Sequence, residues 1–207
     1  MKRRIGILIS GRGSNMEALV RAAADPDYPA EVVLVLSNNP DAAGLATAAA
    51  AGIPVAAIDH RPFKGDRAAH EAAINAALVA AGVEVVCLAG YMRVLTPVLV
   101  DTWAERMLNI HPSLLPAFPG LHTHSRALEA GVTEHGCTVH LVTLGVDEGP
   151  VLAQARVPVL PGDSADSLAA RVLVEEHRLY PAALAAFLGG ELPRKLPGDL
   201  PDAGRVP

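Results

Sequence analysis

The chain has 207 residues, of which 51% are hydrophobic and only 3% are aromatic. This length suffices for one domain with an aliphatic core. The formal net charge of −5 argues against a nucleic acid partner, because binding a phosphate backbone requires clustered positive charge. No apolar stretch reaches the roughly 18 uninterrupted residues of a membrane span. Cys87 and Cys137 are too few for a disulfide framework, so we expect a cytoplasmic protein with reduced thiols.

Strands and helices alternate over the first half of the chain. Apolar patterning predicts strands at 4–10, 31–36, 54–58, 84–89 and 107–110, and helices after Asn15 and at about 41–51, 66–81 and 97–104. This alternation predicts an α/β, Rossmann-like fold, with a mostly parallel twisted sheet and helices on both faces. Ligand-binding residues are then expected to follow the ends of strands.

The pattern changes after residue 112. A Pro/Gly-rich loop at 112–120 and a helix around 125–130 precede two strands, 136–143 and 151–159, which have no helix between them and should form an antiparallel pair. A last long helix is predicted from Ser164 to Leu188, with a break or bend near Pro181.

These elements predict a single domain over residues 1–190. Its first half, about 1–105, is expected to bind a nucleotide, and its second half, about 106–190, to carry the catalytic residues. Residues 191–207 are rich in Pro and Gly and are expected to form an extended or disordered tail.

The loop S-G-R-G-S-N at 10–15 lies between a strand and a helix. Backbone N–H groups at such a helix start can hold a phosphate, and Ser14 and Asn15 add side-chain donors. Glycines at this kind of turn also occur for geometric reasons alone. The loop lacks a full G-x-G-x-x-G and a P-loop lysine, which argues against a dinucleotide and against ATP hydrolysis.

The segment M-L-N-I-H-P-S-L-L-P at 107–116 places Asn109 and His111 two residues apart at the end of a strand, so both side chains point to the same side. An amide N–H and a protonated imidazole can stabilise an oxyanion in acyl transfer to an amine. Asp147, in the glycine-flanked turn 143–150, could reach His111 and raise the pKa of its imidazole. Structural roles for His111 and Asp147 remain open from these residues alone.

Two other chemistries compete with this interpretation. Ser113 could be a nucleophile, but no G-x-S-x-G elbow surrounds it. His122 and His124 form an H-x-H pair, but no acidic or thiolate ligands accompany them at zinc-like spacing, so we expect no metal site. His140 is expected to line the pocket.

Taken together, the motifs resemble the folate-dependent phosphoribosylglycinamide formyltransferases of purine biosynthesis. The resemblance extends from Ile5 to about Leu188 and rests on I-S-G-R-G-S-N, L-A-G-Y-M-R-V-L, N-I-H-P-S-L-L-P, F-P-G-L-H-T-H, the D-E-G turn and two motifs near residues 162 and 176. It implies that the chain transfers the formyl group of 10-formyltetrahydrofolate to glycinamide ribonucleotide, with Asn109, His111 and Asp147 as catalytic residues. The implied partners are small molecules only, and the chain would be a monomer or homodimer.

The resemblance also implies substrate contacts. The ribonucleotide is expected to bind at Gly13, Ser14, Asn15 and Glu176, and the folate at Arg67, Met92, Arg93, Val94, Leu95, Asn109 and His140. The chain departs from the family at Arg12, at Leu173 and at Ser125 with Arg126, and the sequence gives Arg126 no evident catalytic role. Alternatives are a methionyl-tRNA formyltransferase, which would need a further domain and a basic surface, a formyltetrahydrofolate hydrolase, and a binding module without turnover.

Overall fold

The computed structural model describes residues 1–190, and the predicted tail at 191–207 lies outside them. The strands are β1 (Arg3–Ile9), β2 (Ala30–Ser37), β3 (Val55–Ala57), β4 (Val85–Leu88), β5 (Met107–His111), β6 (Glu134–Leu141) and β7 (Val151–Pro158). The helices are α1 (Ser14–Ala23), α2 (Ala43–Ala50), α3 (Arg67–Ala80), α4 (Pro97–Thr102), α5 (Thr123–Glu129) and α6 (Ala165–Leu188). Every strand and helix predicted from the sequence is present.

The strands form one sheet in the order β3-β2-β1-β4-β5-β6-β7. The first five strands in the chain are parallel, whereas β6 runs antiparallel to both β5 and β7. The predicted α/β fold and the antiparallel pair of late strands are therefore confirmed. The strand order reverses between β1 and β4, and ligands of open α/β sheets bind beyond the carboxyl ends of strands at such a point.

The sheet is buried on both faces, which explains its nearly continuous apolar strands. Along β1, Ile5, Ile7 and Ile9 pack into one core with α1, α2, α5 and α6. Leu8 points to the other face and packs into a second core with α3 and α4. The side-chain period of two along a strand thus divides the interior into two layers.

Helix α6 is held at its start and near its middle. Ser164 and Ser167 form a reciprocal capping box at its first turn. The buried hydroxyl of Tyr180 lies 3.1 Å from the carbonyl oxygens of Leu88, the last residue of β4, and Leu108, the second residue of β5. The helix continues through Pro181, so the break considered from the sequence is not present. Among residues 1–190, no helix combines the length and apolar character that a membrane crossing demands.

We expect Gly136→Ala to destabilise the protein. A Cβ at this position on β6 would overlap the Ala155 carbonyl oxygen of the neighbouring strand, so the backbone would have to shift. Overpacking of this kind costs about 1–3 kcal/mol of unfolding free energy, measurable by urea denaturation. Gly189→Ala is the matched control, because its Cβ would find no atom closer than 3.5 Å and its φ is −72°. Equal stability of the two variants would contradict the prediction.

Candidate active site

The glycine loop joins β1 to α1 at the carboxyl edge of the sheet. Gly13 has φ 77° and immediately precedes α1, a conformation that glycine adopts without strain. The loop packs closely on the start of α2, where a Cβ on Gly44 would lie 2.9 Å from the Arg12 carbonyl oxygen. The first N–H groups of a helix lack intrahelical acceptors, so this loop is suited to an anion.

Asn15 and Glu176 form a buried pair between the two ends of the chain. Asn15 Nδ2 donates to Glu176 Oε2 over 2.8 Å, and Glu176 is only 6% exposed. Burial raises the pKa of Glu176, although the hydrogen bond from Asn15 opposes this shift. Asn15 Oδ1 is buried and has no hydrogen-bond partner among residues 1–190. The pair places a polar group from α6 beside the glycine loop.

The three residues predicted to be catalytic form one cluster with His140. Asn109 and His111 lie on β5, and Asp147 lies in the turn between β6 and β7 with φ 57°. His111 Nδ1 is 3.3 Å from Asp147 Oδ2. His140 Nε2 is 3.1 Å from Asn109 Nδ2 and 3.6 Å from Asp147 Oδ1. The Asp147 carboxylate thus lies near both imidazoles, and one of these, His140, contacts the Asn109 amide.

His140 determines the orientation of the Asn109 amide. Its Nδ1 lies 2.8 Å from the Leu141 carbonyl oxygen, which can only accept, so Nδ1 carries a hydrogen. In the neutral ring, Nε2 then accepts a hydrogen bond from the amide NH2 of Asn109. The second hydrogen of that NH2 group is left for a ligand. Because His140 is 2% exposed, it presents almost no surface to a pocket in this conformation.

A backbone carbonyl orients the ring of His111. The Phe118 carbonyl oxygen lies 3.0 Å from Nε2, so the hydrogen of the neutral imidazole is on Nε2. Nδ1, which faces Asp147, is then the nitrogen that gains or loses a proton. The peptide N–H of Gly120 donates to Asp147 Oδ2 over 2.8 Å.

Sequence reasoning identified neither Phe118 nor Gly120, because both act through backbone groups. The only sequence signal was the Pro-Gly turn itself, which does not say where its peptide groups point.

Two opposing sets of effects act on the pKa of His111. Burial, with smaller contributions from His140 and Arg126, lowers this pKa below its ordinary value. The Phe118 carbonyl and the Asp147 carboxylate both raise it, as expected for Asp147, but by less than burial lowers it. Although burial raises the pKa of Asp147, the nearby His140 side chain, the hydrogen bond from the Gly120 N–H and the His111 imidazole together lower it below its ordinary value.

The segment around Met92–Leu95, predicted to bind folate, lies across the same edge. Met92 N–H donates to Ser10 Oγ over 2.8 Å, and Arg67 Nη1 lies 3.4 Å from the Val94 carbonyl oxygen. Met92 and Val94 are 70% and 55% exposed. The buried carboxylate of Glu71 accepts hydrogen bonds from the N–H and hydroxyl of Thr96, which fixes the end of this segment. Exposed apolar side chains beside fixed backbone suit a flat heterocyclic ligand.

A cavity of about 350 Å³ opens beside Asp147. Its lining residues are Leu115, Pro116, Pro119, Asp147, Glu148, Gly149 and Val151. The carboxylate of Asp147 therefore borders a space that a small ligand can enter.

The residues considered as an alternative nucleophile or as metal ligands lie in other environments. Ser113 is fully buried and donates to the Ala117 carbonyl oxygen, as a turn residue does. His124 Nδ1 lies 3.2 Å from His135 Nε2, and burial lowers the pKa of His135 to about 4. Within residues 1–190, no group of three or more His, Cys, Asp or Glu side chains is arranged to hold a metal ion.

Comparison with known proteins identifies the family. The model of the formyl transferase family matches residues 3–184. The chain belongs to this family. This formyl transferase is 46% identical to phosphoribosylglycinamide formyltransferase of Escherichia coli strain K12, over 91% of this chain and 88% of that protein. The family predicted from the sequence motifs is thereby confirmed.

Longer relatives and solved structures also match this formyl transferase. It is 46% identical to the trifunctional purine biosynthetic protein adenosine-3 of Drosophila pseudoobscura pseudoobscura, over 98% of this chain, but it spans only 15% of that protein. The crystal structure of phosphoribosylglycinamide formyltransferase from Brucella melitensis superposes with a TM-score of 0.87 and 57% identity, covering 92% of this chain and 97% of that one.

Glu176→Gln should flatten the pH dependence of stability. Because burial raises the pKa of Glu176 above its ordinary 4.5, the folded state binds this proton more tightly than the unfolded chain does. The stabilising contribution of Glu176 to the folded state is greatest below pH 4.5 and is lost as the pH rises through its folded-state pKa. The melting temperature of the variant should therefore change less between pH 5 and 8 than that of wild type. Glu175→Gln, on the same helix, should retain the wild-type profile.

Proposed function

We propose that this chain transfers the formyl group of 10-formyltetrahydrofolate to the amine of glycinamide ribonucleotide, giving formylglycinamide ribonucleotide and tetrahydrofolate in purine biosynthesis. The observation that carries the proposal is the cluster of Asn109, His111 and Asp147, which His140 joins through its contacts with Asn109 and Asp147. Relatives named phosphoribosylglycinamide formyltransferase, similar over nearly the whole chain, support these substrates. They do not favour a methionyl-tRNA formyltransferase or a hydrolase.

The two substrates reach the cluster from opposite sides. The phosphate of the ribonucleotide binds the N–H groups at Gly13, Ser14 and Asn15, and the ribose hydroxyls bind Glu176, which lies against Asn15. This arrangement directs the amine away from the glycine loop and towards the ends of β4 and β5.

The folate enters between Met92–Leu95 and the turn that carries Asp147. Its ring hydrogen-bonds to the backbone of Met92–Leu95, and Arg67 binds its glutamate carboxylate. The residues for each substrate come from both halves of the chain, so we propose one domain over 1–190 in which neither half binds a substrate alone.

The reaction is a direct transfer. The uncharged amine attacks the formyl carbon, a C–N bond forms, and the carbonyl electron pair moves onto oxygen. Asn109 Nδ2–H donates to this oxyanion, and the positive charge of protonated His111, whose Nδ1–H is directed at Asp147, stabilises it electrostatically. The pair then re-forms the carbonyl, the bond to the folate nitrogen breaks, and that nitrogen takes the proton lost by the amine through a water held by Asp147. No formyl-enzyme intermediate forms and no net proton is consumed.

Substrate binding is proposed to favour the cationic form of His111. Burial lowers the pKa of His111 in the free protein, which disfavours that form. The ribonucleotide phosphate and the folate carboxylates bring negative charge, and the oxyanion develops directly beside the ring, so each favours the imidazolium. Protonation of His111 is thereby coupled to the presence of substrate.

We also propose that the protein acts in the cytoplasm as a monomer or homodimer without a nucleic acid partner. Two buried free cysteines support a reducing compartment, and the net charge of −5 supports small-molecule substrates rather than tRNA.

Removal of the amide donor should nearly abolish turnover. For Asn109→Ala we expect kcat to fall about 10²- to 10³-fold, as is typical for loss of one oxyanion donor, with KM for both substrates little changed. The assay mixes protein, 10-formyltetrahydrofolate and glycinamide ribonucleotide and follows tetrahydrofolate release. Wild-type protein that shows no amine-dependent release contradicts the proposed function. Near wild-type turnover by the variant contradicts the role of Asn109.

Asp147→Asn should alter the pH profile as well as the rate. The Asp147 carboxylate raises the pKa of His111, so its neutral replacement lowers that pKa. Because transfer uses protonated His111, the alkaline limb of kcat against pH should move to lower pH, and kcat should fall at pH 7.5. Asp27→Asn, in an exposed turn, is the control. An unshifted alkaline limb would show that Asp147 does not act through His111.

A further inference from the structure

The turn at residues 118–122 contacts both members of the His111–Asp147 pair. The Phe118 carbonyl oxygen accepts from His111 Nε2, and the Gly120 N–H donates to Asp147 Oδ2. Two alternate residues of one short turn thus direct their peptide groups at the site. Any movement of this turn would change the orientation of the imidazole and the carboxylate together.

Arg126, on α5, contacts the intervening residues of the same turn. Its Nη1 donates to the carbonyl oxygens of Pro119 and Leu121, the latter over 3.3 Å. Its guanidinium carbon lies 5.7 Å from the ring centroid of Phe118. The planar guanidinium therefore has contacts with three residues of the turn, an arrangement that a point charge would not reproduce.

The turn requires such external contacts because its backbone is unusual. Phe118 and His122 have φ values of 54° and 57°, in the left-handed region that side chains other than glycine seldom adopt. Conformations of this kind persist only where surrounding contacts determine them. Among those contacts, Arg126 supplies side-chain donors to two carbonyl oxygens of the turn.

We propose that Arg126 is a positioning residue for formyl transfer, which holds the 118–122 turn so that Phe118 keeps the His111 hydrogen on Nε2 and its Nδ1 towards Asp147. This inference rests on the proposed function for its effect on turnover, but its effect on the His111 ring is independent of it. The sequence alone gives Arg126 no such role, because the residue is 15 positions from His111 and outside every motif that carries chemistry.

A positioning role for Arg126 and a purely structural role in α5 predict different behaviour of His111. If the role is purely structural, removing Arg126 lowers the stability of the protein but leaves the His111 ring of the folded protein unchanged. Loss of a positioning contact weakens the Phe118 hydrogen bond, so the neutral imidazole distributes its hydrogen between both nitrogens. That difference is visible in the nitrogen resonances of the ring, without any substrate present.

The test compares Arg126→Met with wild type by two measurements. For turnover, we expect kcat to fall about tenfold with KM for both substrates within about twofold, since small misplacements of catalytic groups reduce the rate rather than binding. For the ring, 15N-histidine NMR at pH 8 should show widely separated Nδ1 and Nε2 resonances for wild-type His111, and the two should move towards each other in the variant. The His111 signals are assigned by their loss in His111→Asn.

Two further variants complete the design. Arg156→Met removes an exposed arginine whose ion pair with Glu134 lies at the other end of the β6–β7 hairpin, and it should behave as wild type in both measurements. Arg126→Lys keeps the positive charge but not the planar group, so it should give a smaller fall in kcat and a smaller change in the NMR spectrum. It replaces Arg126→Met in both measurements if the latter does not fold.

A fall in kcat together with the change in the His111 resonances supports the proposal. Wild-type kcat, a change confined to KM, or a fall in kcat with unchanged His111 resonances overturns it. If wild-type protein shows no turnover, the proposed function fails. The NMR comparison alone then decides whether Arg126 positions His111.

Discussion

The site depends on the carboxylate of Asp147, because it joins three segments of the chain. It accepts the Gly120 N–H, lies 3.3 Å from Nδ1 of His111 and lies 3.6 Å from Nε2 of His140. The turn after β5, the strand β5 itself and the β6–β7 hairpin therefore meet at one side chain. A carboxylate placed here needs polar neighbours because burial removes much of its hydration, and the Gly120 N–H replaces part of the lost water.

The same constraint explains the lowered pKa of His111 in the free protein. The buried ring loses hydration, and burial, with smaller contributions from His140 and Arg126, lowers its pKa more than the Phe118 carbonyl and the Asp147 carboxylate raise it. In the proposed reaction, the substrates and the oxyanion add negative charge near the ring and favour its cationic form. Its electrostatic stabilisation would then be greater in the transition state than in the free protein.

At the pair of Asn15 and Glu176, protein stability and the proposed substrate binding have opposing requirements. Glu176 is buried against Asn15, and burial of a carboxylate is unfavourable unless its oxygens are fully paired. Asn15 satisfies one oxygen, and the ribose hydroxyls of the proposed substrate would supply donors for the carboxylate. Burial of the Glu176 carboxylate thus makes the protein less stable at neutral pH, but it leaves a carboxylate that can accept hydrogen bonds from hydroxyl groups.

The sequence by itself determined the strand and helix order, the family, and the identity of Asn109, His111 and Asp147 as candidates, because these follow from local periodicity and short motifs. Only the packed structure shows the lowered pKa of His111, the contact of His140 with Asn109, and the contributions of the Phe118 and Gly120 backbone. The desolvation of a titratable group depends on every element that packs around it. The direction of a peptide group in the 118–122 turn depends on left-handed backbone angles, which side-chain identity does not specify. For that reason, the residue types indicate the chemistry, whereas the packed fold determines the proton affinity and the orientation of the side chains that carry it out.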